Sequence, residues 1–443
     1  EQAGTQEART HELALFVQDT WNPTPNVTVN YGLRWEGTWH PNNVPPQEEL
    51  FYFPFIGETK LGQEFPSDGE IPDDFDNFQP RFGITWDTEG DGSAIVRGNF
   101  GVYFSRVPML VFAQHRSSSG AVGQTLFFNS TFNGFGLTPP AYGELLDTTG
   151  IEPFLPGIQV PDKDFELPRT FSGSIEYEKL LGAKIAGFVQ YSVSYSDNLF
   201  RFVNRNDPVF GSPWSTGLPL ERGNPMGAAD TTNGIFTLTS MESVGESWYN
   251  GITVGLKGRV GEWLDLDANY TLSWDKSHDD NERDPFTFRH ADPSRLDEDW
   301  GYSDRDQRHR FNAYALIRLP YGIDWNNLIQ ANSAQPISEV CEDGPTGERV
   351  ASQTDRVCND GSILERNTLR KEDDFFTWDV RVSKLFPLSP GVGLEVIAEV
   401  FNLTNADNFR DPGSRSLLFN FDGTVQSGLG DPRRMQLGAK LKF

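Results

Sequence analysis

The chain has 443 residues, of which 37% are hydrophobic and 13% aromatic, and it carries a formal net charge of −26. That acidity excludes a nucleic-acid partner, because holding a phosphate backbone needs a basic surface that displaces counterions. No apolar run reaches the roughly 18 residues of a membrane-crossing helix, but spanning strands show half their residues to water and escape such a test. Phe 34, Trp 11 and Tyr 12, together with Gly 43 and Pro 29, describe a β protein with rings at interfaces and many turns. Glu1-Gln2-Ala3-Gly4 has neither a basic nor an apolar leader region, so the expectation is a removed signal peptide or a start inside a longer gene product.

Residues 11–21, HELALFVQDTW, alternate and stop at Asn22-Pro23-Thr24-Pro25-Asn26, a run of turn formers. Val27, Val29, Tyr31, Leu33 and Trp35 then oppose Thr28, Asn30, Gly32, Arg34 and Glu36, which predicts a hairpin. A Pro-rich acidic connection leads to 81–87, with Phe82, Ile84 and Trp86 on one side, and the turn 88–93 sends the chain back along 95–104. The same unit recurs as 170–179 with 185–195, 248–259 with 263–274, 310–319 with 323–334, and 375–386 with 392–403. In the second of these, Leu264, Leu266, Ala268, Tyr270 and Leu272 alternate with Asp265, Asp267, Asn269, Thr271 and Ser273. One face of that strand meets water and the other does not.

The last twelve residues, PRRMQLGAKLKF, follow the same rule. They predict Leu437, Ala439 and Leu441 toward lipid and Gln436, Gly438 and Lys440 toward a lumen, since a lysine at mid-membrane costs about 2–4 kcal/mol. Short connections (22–26, 88–93, 180–183, 260–262, 320–322, 387–391) alternate with long ones, as in bacterial barrels with tight periplasmic turns and long outer loops; a sandwich does not sort its loops this way. Trp21, Trp35, Trp86, Trp263 and Trp274 fall at predicted strand ends, as aromatic girdles require. The fold expected is all-β: an antiparallel transmembrane β-barrel with about thirteen strands. An odd number, with the first strand entering from outside, does not close a single-chain bacterial barrel and leaves two edges in lipid. Residues 1–443 are therefore expected to be the C-terminal portion of a longer barrel, and residues 13–17 are not expected to pair with 435–441.

Several stretches carry a family resemblance: Phe16-Val-Gln-Asp-Thr-Trp21, Tyr31-Gly-Leu-Arg-Trp-Glu36, Phe78-Gln-Pro-Arg-Phe-Gly83, Arg97-Gly-Asn-Phe-Gly-Val-Tyr103, Arg308-His-Arg-Phe311, Glu399-Val-Phe-Asn-Leu-Thr-Asn405 and the terminal Phe443. In this order they resemble the C-terminal half of a TonB-dependent outer-membrane receptor of the Oar-like group, which carries a carboxypeptidase-regulatory-like domain. The resemblance implies a barrel of about 22 strands around a plug, location in the outer membrane of a Gram-negative-type bacterium, and contact with the TonB complex through a segment N-terminal to these residues. Nothing in the sequence resembles the plug, a TonB box or the first strands of that family.

No catalytic signature is found. His11-Glu12 begins a zinc-protease motif, but Leu15 stands where the second histidine belongs, and the segment is a strand. The acidic stretch 275–306 offers Asp279, Asp280, Glu282 and Asp284 as candidate Ca²⁺ ligands, because carboxylate oxygens suit that ion. The alternative is a solvated loop neutralised by Arg283, Arg289 and Arg295. Cys341 and Cys358 lie in one polar connection, where an oxidising compartment allows a disulfide, and the two are expected to pair. Phe51, Tyr52, Phe53, Phe127, Phe128, Phe286 and Phe288 are candidates either for stacking on a solute or for packing loops together. The expected function is uptake of a siderophore, oligosaccharide or peptide; the alternatives are a structural or adhesive barrel, or an ungated porin.

Overall fold

The computed structural model describes residues 9–41, 46–108, 111–112, 115–116, 157–182, 184–214, 234–235, 237–280, 288, 290–339, 341, 356–371, 374–408 and 432–443. Thirteen strands follow one another in chain order across a single antiparallel sheet. They are β1 (His11–Thr24), β2 (Val27–Trp39), β3 (Asp74–Asp87), β4 (Ala94–Phe104), β5 (Arg169–Gly182), β6 (Ile185–Asn204), β7 (Thr237–Val260), β8 (Leu264–Ser277), β9 (His309–Leu319), β10 (Ile323–Asn332), β11 (Phe375–Ser389), β12 (Val392–Phe401) and β13 (Arg434–Lys442). Two short strands, Gly157–Pro161 and Gly301–Tyr302, pair off this path with β7 and β8.

Register explains why the sequence alternates. Val96, Tyr177, Val189, Val254, Tyr270, Phe311, Ala331 and Phe376 stand side by side from β4 to β11. The neighbouring row is Arg97, Glu176, Gln190, Thr253, Thr271, Arg310 and Asn332. Directly opposed residues point to the same side, so the sheet has one apolar face and one polar face. On the apolar face the large side chains stay exposed, among them Leu15, Leu33, Phe82, Ile175, Tyr191, Ile252, Val254, Val396 and Leu437. Exposure of that many apolar residues on a regular sheet is the mark of a wall bathed in hydrocarbon. Leu437, Ala439 and Leu441 share this face with Ala398, Val396 and Leu394, while Gln436 and Lys440 stand opposite Glu399 and Glu395.

One end of the sheet turns tightly. Gly258 takes φ +146 there, and a Cβ at that position would lie 2.0 Å from the Lys184 carbonyl oxygen, so only glycine fits the close crossing of the β5–β6 and β7–β8 turns. Trp21, Trp86 and Trp263 are exposed at this end, forming its aromatic girdle. At the other end lie the long connections, and the buried apolar cores sit where these pack on the outer ends of β6 and β7. One cluster joins Ile71, Val107, Phe112, Phe165, Phe202 and Met241; the second joins Leu50, Tyr52, Phe65, Val160, Trp214 and Leu238.

The structure departs from the sequence-based bounds at the outer end. β6 and β7 are 20 and 24 residues long, each about ten residues beyond the predicted strand. Their extensions, including Thr237–Met241, are buried on both sides by loops and by the parallel strand Gly157–Pro161, so they carry no alternation to read. β12 stops at Phe401 because Asn402 adopts φ +51 and its N–H donates to Asp379 Oδ1 at 2.8 Å. The sheet is open: among the described residues β1 pairs only with β2 and β13 only with β12.

Candidate functional site

The polar face of the wall is built from ion pairs within and between strands. Arg34 pairs with Glu36, which also accepts from Gln79 Nε2 at 2.6 Å. Arg97 Nη1 lies 2.6 Å from Glu176 and 3.4 Å from Glu178, and Lys257 Nζ reaches across β6 to Glu178 at 2.9 Å. Asp265 is held by Arg259 and Arg318, each at 2.5 Å. Glu395 binds Lys442 at 2.9 Å, Arg381 Nη1 lies 3.4 Å from Glu399, and Gln436 donates to Glu399. Each pair is partly solvated and stabilises by at most about 1 kcal/mol. Their collective effect is a wet, charge-balanced lining. Along β1–β4 this lining forms a concavity of about 750 Å³ whose wall includes Gln18, Asn30, Gln79, Arg81, Asn99 and Tyr103, with the Arg81 guanidinium 4.9 Å from the Tyr103 ring centre.

Above the lining, the outer connections are tied together by buried arginines. Asp299 is fully buried and accepts from Arg201 Nη2 at 2.6 Å, from Arg356, and from the Ala291 N–H at 3.0 Å. Arg366, also buried, bonds Asp280 at 2.5 Å and Asp304 at 3.3 Å, and donates to the Ser277 carbonyl at 2.8 Å. Asn367 Nδ2 donates to the Tyr302 carbonyl at 2.6 Å, and Arg370 bonds Asp306 at 2.6 Å. The β10–β11 connection is thereby strapped across the β8–β9 connection, and Arg201 adds the outer end of β6. Cys341 and Cys358 are joined, S–S 2.06 Å, two residues beyond Arg356.

This packing shifts titrations. Burial lowers the Arg366 pKa, but Asp280, Asp304 and Asp279 outweigh it and raise it above the ordinary arginine value. Burial, with Arg201 nearby, pushes His278 down. Burial also pushes Asp162 up to about 6, with Glu242 and Asp164 adding to it, and pushes His115 down to about 3.

The candidate cation ligands are placed as follows. Asp280 faces Arg366, Ser277, Ser303 and the Asp304 N–H, which fill both of its oxygens. Asp279 lies 3.9 Å from the Arg201 Nε. Glu282 and Asp284 fall outside the described residues, as do Arg283 and Arg289. Of the local arginines, Arg295 does bond Asp292, at 3.2 Å. The principal counter-charges, Arg201, Arg356, Arg366 and Arg370, come from distant segments that local spacing does not reveal. The available signal was the basic run Arg366 to Lys371 facing an acidic connection. Tyr52 is buried and stacks with Phe65 at 5.6 Å, Phe288 packs against the first loop cluster, and Phe51 and Phe53 are exposed. Phe127, Phe128 and Phe286 lie outside the described residues.

A wall apolar on one whole face and charge-paired on the other, with tight turns at one end and packed connections at the other, is that of an outer-membrane β-barrel. The sequence agrees: residues 1–333 match the family model described as outer membrane beta barrel domain, and the chain belongs to that family. Its place is the outer membrane. No curated protein sequence matches it. Among solved structures, it is similar to the outer membrane transporter YddB from Escherichia coli, with 12% identity and a TM-score of 0.56 over 98% of this chain and 45% of that one. The FrpB iron transporter from Neisseria meningitidis gives 12% and 0.51 over 98% and 46%. A mutant of the ferric enterobactin receptor PfeA from Pseudomonas aeruginosa gives 11% and 0.51 over 98% and 45%. At such identities the likeness is one of fold, and the chain spans less than half the length of these structures.

Proposed function

We propose that this chain is the C-terminal portion of a TonB-dependent receptor of the Oar-like type, and that the whole protein takes up a solute too large for simple porins, of the siderophore, oligosaccharide or peptide class. The observation that carries this reading is the open sheet. Thirteen strands form this sheet among the described residues, and the match to a solved outer membrane transporter covers 98% of this chain but 45% of that one. Two unpaired edges in lipid cost several kcal/mol per exposed backbone group, so further strands must complete the wall. About nine more would give a barrel of about 22, a size whose lumen is occupied by a plug. Those strands, the plug and the contact with the TonB complex belong to polypeptide outside this sequence. That the similar structures are an outer membrane transporter, an iron transporter and a ferric enterobactin receptor supports uptake rather than catalysis.

The test uses the complete native protein. Cells lacking its gene, cells lacking TonB and complemented cells are supplied with labelled ferric siderophores, oligosaccharides and peptides. Loss of uptake of one class in both mutants supports the proposal. Steady conductance of the purified protein in planar bilayers without TonB identifies an ungated porin. Unchanged uptake of every class with loss of surface attachment identifies an adhesive barrel.

A further inference from the structure

We propose that the outer end of β3 is a calcium site, built from the Asp74 and Asp76 carboxylates and the side-chain carbonyl of Asn77. The register assembles it. Glu36 stands opposite Asn77 and Thr38 opposite Asp74, so Phe75 and Asp76 together face Gly37 in a β-bulge. Glu36 and Thr38 lie on one side of β2. The bulge therefore brings Asp74 and Asn77 to one side of β3, where an unbroken strand would set them on opposite sides. Phe75 fixes the bulge, packing on Trp39 with ring centres 5.0 Å apart, and its carbonyl accepts from Trp35 Nε1 at 2.7 Å.

Two buried oxygens in this bulge lack a donor. Asn77 is fully buried, and its Nδ2 donates to the Glu36 carbonyl at 3.2 Å and to the Asp74 carbonyl at 3.4 Å. Facing two carbonyls, the amide cannot be turned over, and its Oδ1 has no hydrogen-bond partner. Asp74 is 8% exposed; its Oδ2 accepts from the Leu167 N–H at 2.9 Å, while its Oδ1 has no hydrogen-bond partner. The Asp76 carboxyl group stands within hydrogen-bonding reach of the Asp74 carboxyl, and two carboxylates in contact repel unless a proton or a cation lies between them. Neither is ion-paired among the described residues. Arg169 is near enough to feel Asp76 and Glu166, but its Nε and Nη2 are held by Asp197 at 3.0 and 2.6 Å. All three donors are oxygens, the ligands of a hard cation. Ca²⁺ accepts such an irregular set and completes its shell with water, whereas Mg²⁺ demands a near-ideal octahedron. Asp76 is exposed, which opens the site to the medium. An ion held there ties β3 to the connection before β5, because Asp74 also grips Leu167, and Leu167 and Ile71 share one outer core.

The experiment uses the complete native protein in detergent, freed of divalent ions by a chelator, with radioactive Ca²⁺ as the probe in equilibrium dialysis and Mg²⁺ as competitor. Asp76→Asn breaks no described ion pair, and Asp74→Asn keeps an acceptor for the Leu167 N–H. Each is expected to weaken one class of Ca²⁺ site by at least about tenfold, with heat-modifiable gel mobility showing an intact barrel. In wild type Ca²⁺ should slow hydrogen exchange in peptides covering 70–79 and 163–169, and in Asp76→Asn it should not. Equal Ca²⁺ uptake in wild type and both variants overturns the proposal, as does Ca²⁺-independent exchange of 70–79 in wild type. Loss of uptake in neither variant together with a gain of stability in both would mean that the two carboxyls share a proton instead. Mg²⁺ competing at equal concentration, with the same dependence on Asp76, overturns the assignment to calcium.

Discussion

Asp299→Ala should release the outer connections without opening the wall beneath them. The carboxylate is fully buried, and its two guanidinium partners, Arg201 and Arg356, are 2% and 0% exposed, so the substitution strands two buried cations and also removes the acceptor of the Ala291 N–H. Breaking a buried pair from one side costs about 3–5 kcal/mol. Arg356 keeps the carbonyls of Leu364 at 2.8 Å and Glu298 at 3.2 Å, and Arg201 keeps that of Leu296 at 3.3 Å, which argues for the lower end of that range. About 3 kcal/mol, at 1.36 kcal/mol per factor of ten, raises the population of the locally opened cap by about two orders of magnitude. Limited proteolysis of the protein in detergent reads that population when reclosing is fast relative to cleavage. The expected result is a cleavage rate in the outer connections about a hundredfold higher, with heat-modifiable mobility of the barrel retained. Asp299→Asn keeps an acceptor for Ala291 and should fall between the two. A rate within about threefold of wild type for Asp299→Ala would refute the view that this pair holds the cap.

Val254→Arg, on the lipid face of β7, should destabilise the barrel by about 2–4 kcal/mol in urea unfolding in lipid vesicles, whereas Thr253→Arg, one residue along and facing the lumen, should stay within about 1 kcal/mol. Similar losses for both would contradict the assignment of faces. Cys341→Ser with Cys358→Ser should lower the local stability of the β10–β11 connection by about 3 kcal/mol, seen as new cleavage there, and thiol titration of the unreduced native protein should find neither cysteine free. Asp162 has a folded-state pKa raised to about 6 against an ordinary 3.8. Its contribution is therefore fully present below about pH 4 and is lost as pH rises through about 6. Asp162→Asn should accordingly be more stable than wild type at pH 7.5, by on the order of 1 kcal/mol after solvent screening, and the advantage should vanish at pH 4. An advantage that grows on acidification would reverse the assigned sign.

The wall was legible because its cause is local. A strand with lipid on one side and water on the other must alternate, and Leu264 to Ser273 does so without a break. Turns such as Pro320-Tyr321-Gly322 were legible for the same reason, although Tyr321 itself takes φ +69. The outer halves of β6 and β7 were not. Ser240, Met241 and Glu242 are all buried, and a segment covered on both faces by loops has no period to betray it. The cap was legible in composition only. The acidic stretch 275–306 announced charge, but its partners Arg356, Arg366 and Arg370 lie 57, 86 and 64 residues from Asp299, Asp280 and Asp306, beyond the reach of any spacing rule. The cation reading weighed carboxylates against the nearest arginines, whereas folding brought in remote ones.

The arginine straps also bear on how this surface is free to diverge. Outer connections of a barrel ordinarily accept insertions and substitutions one at a time, because each meets only water. Here a change at Asp299 is felt by residue 201 at the end of one strand and by residue 356 in another connection, and a charge lost on one segment must be matched on two others. Variation among descendants of this chain should therefore come in sets: positions 201, 299 and 356 altering together, and 280, 304 and 366 likewise. Exposed Leu61 and Val209 bear no such obligation. A population of natural variants would thus record which parts of the outer face are mechanically one piece.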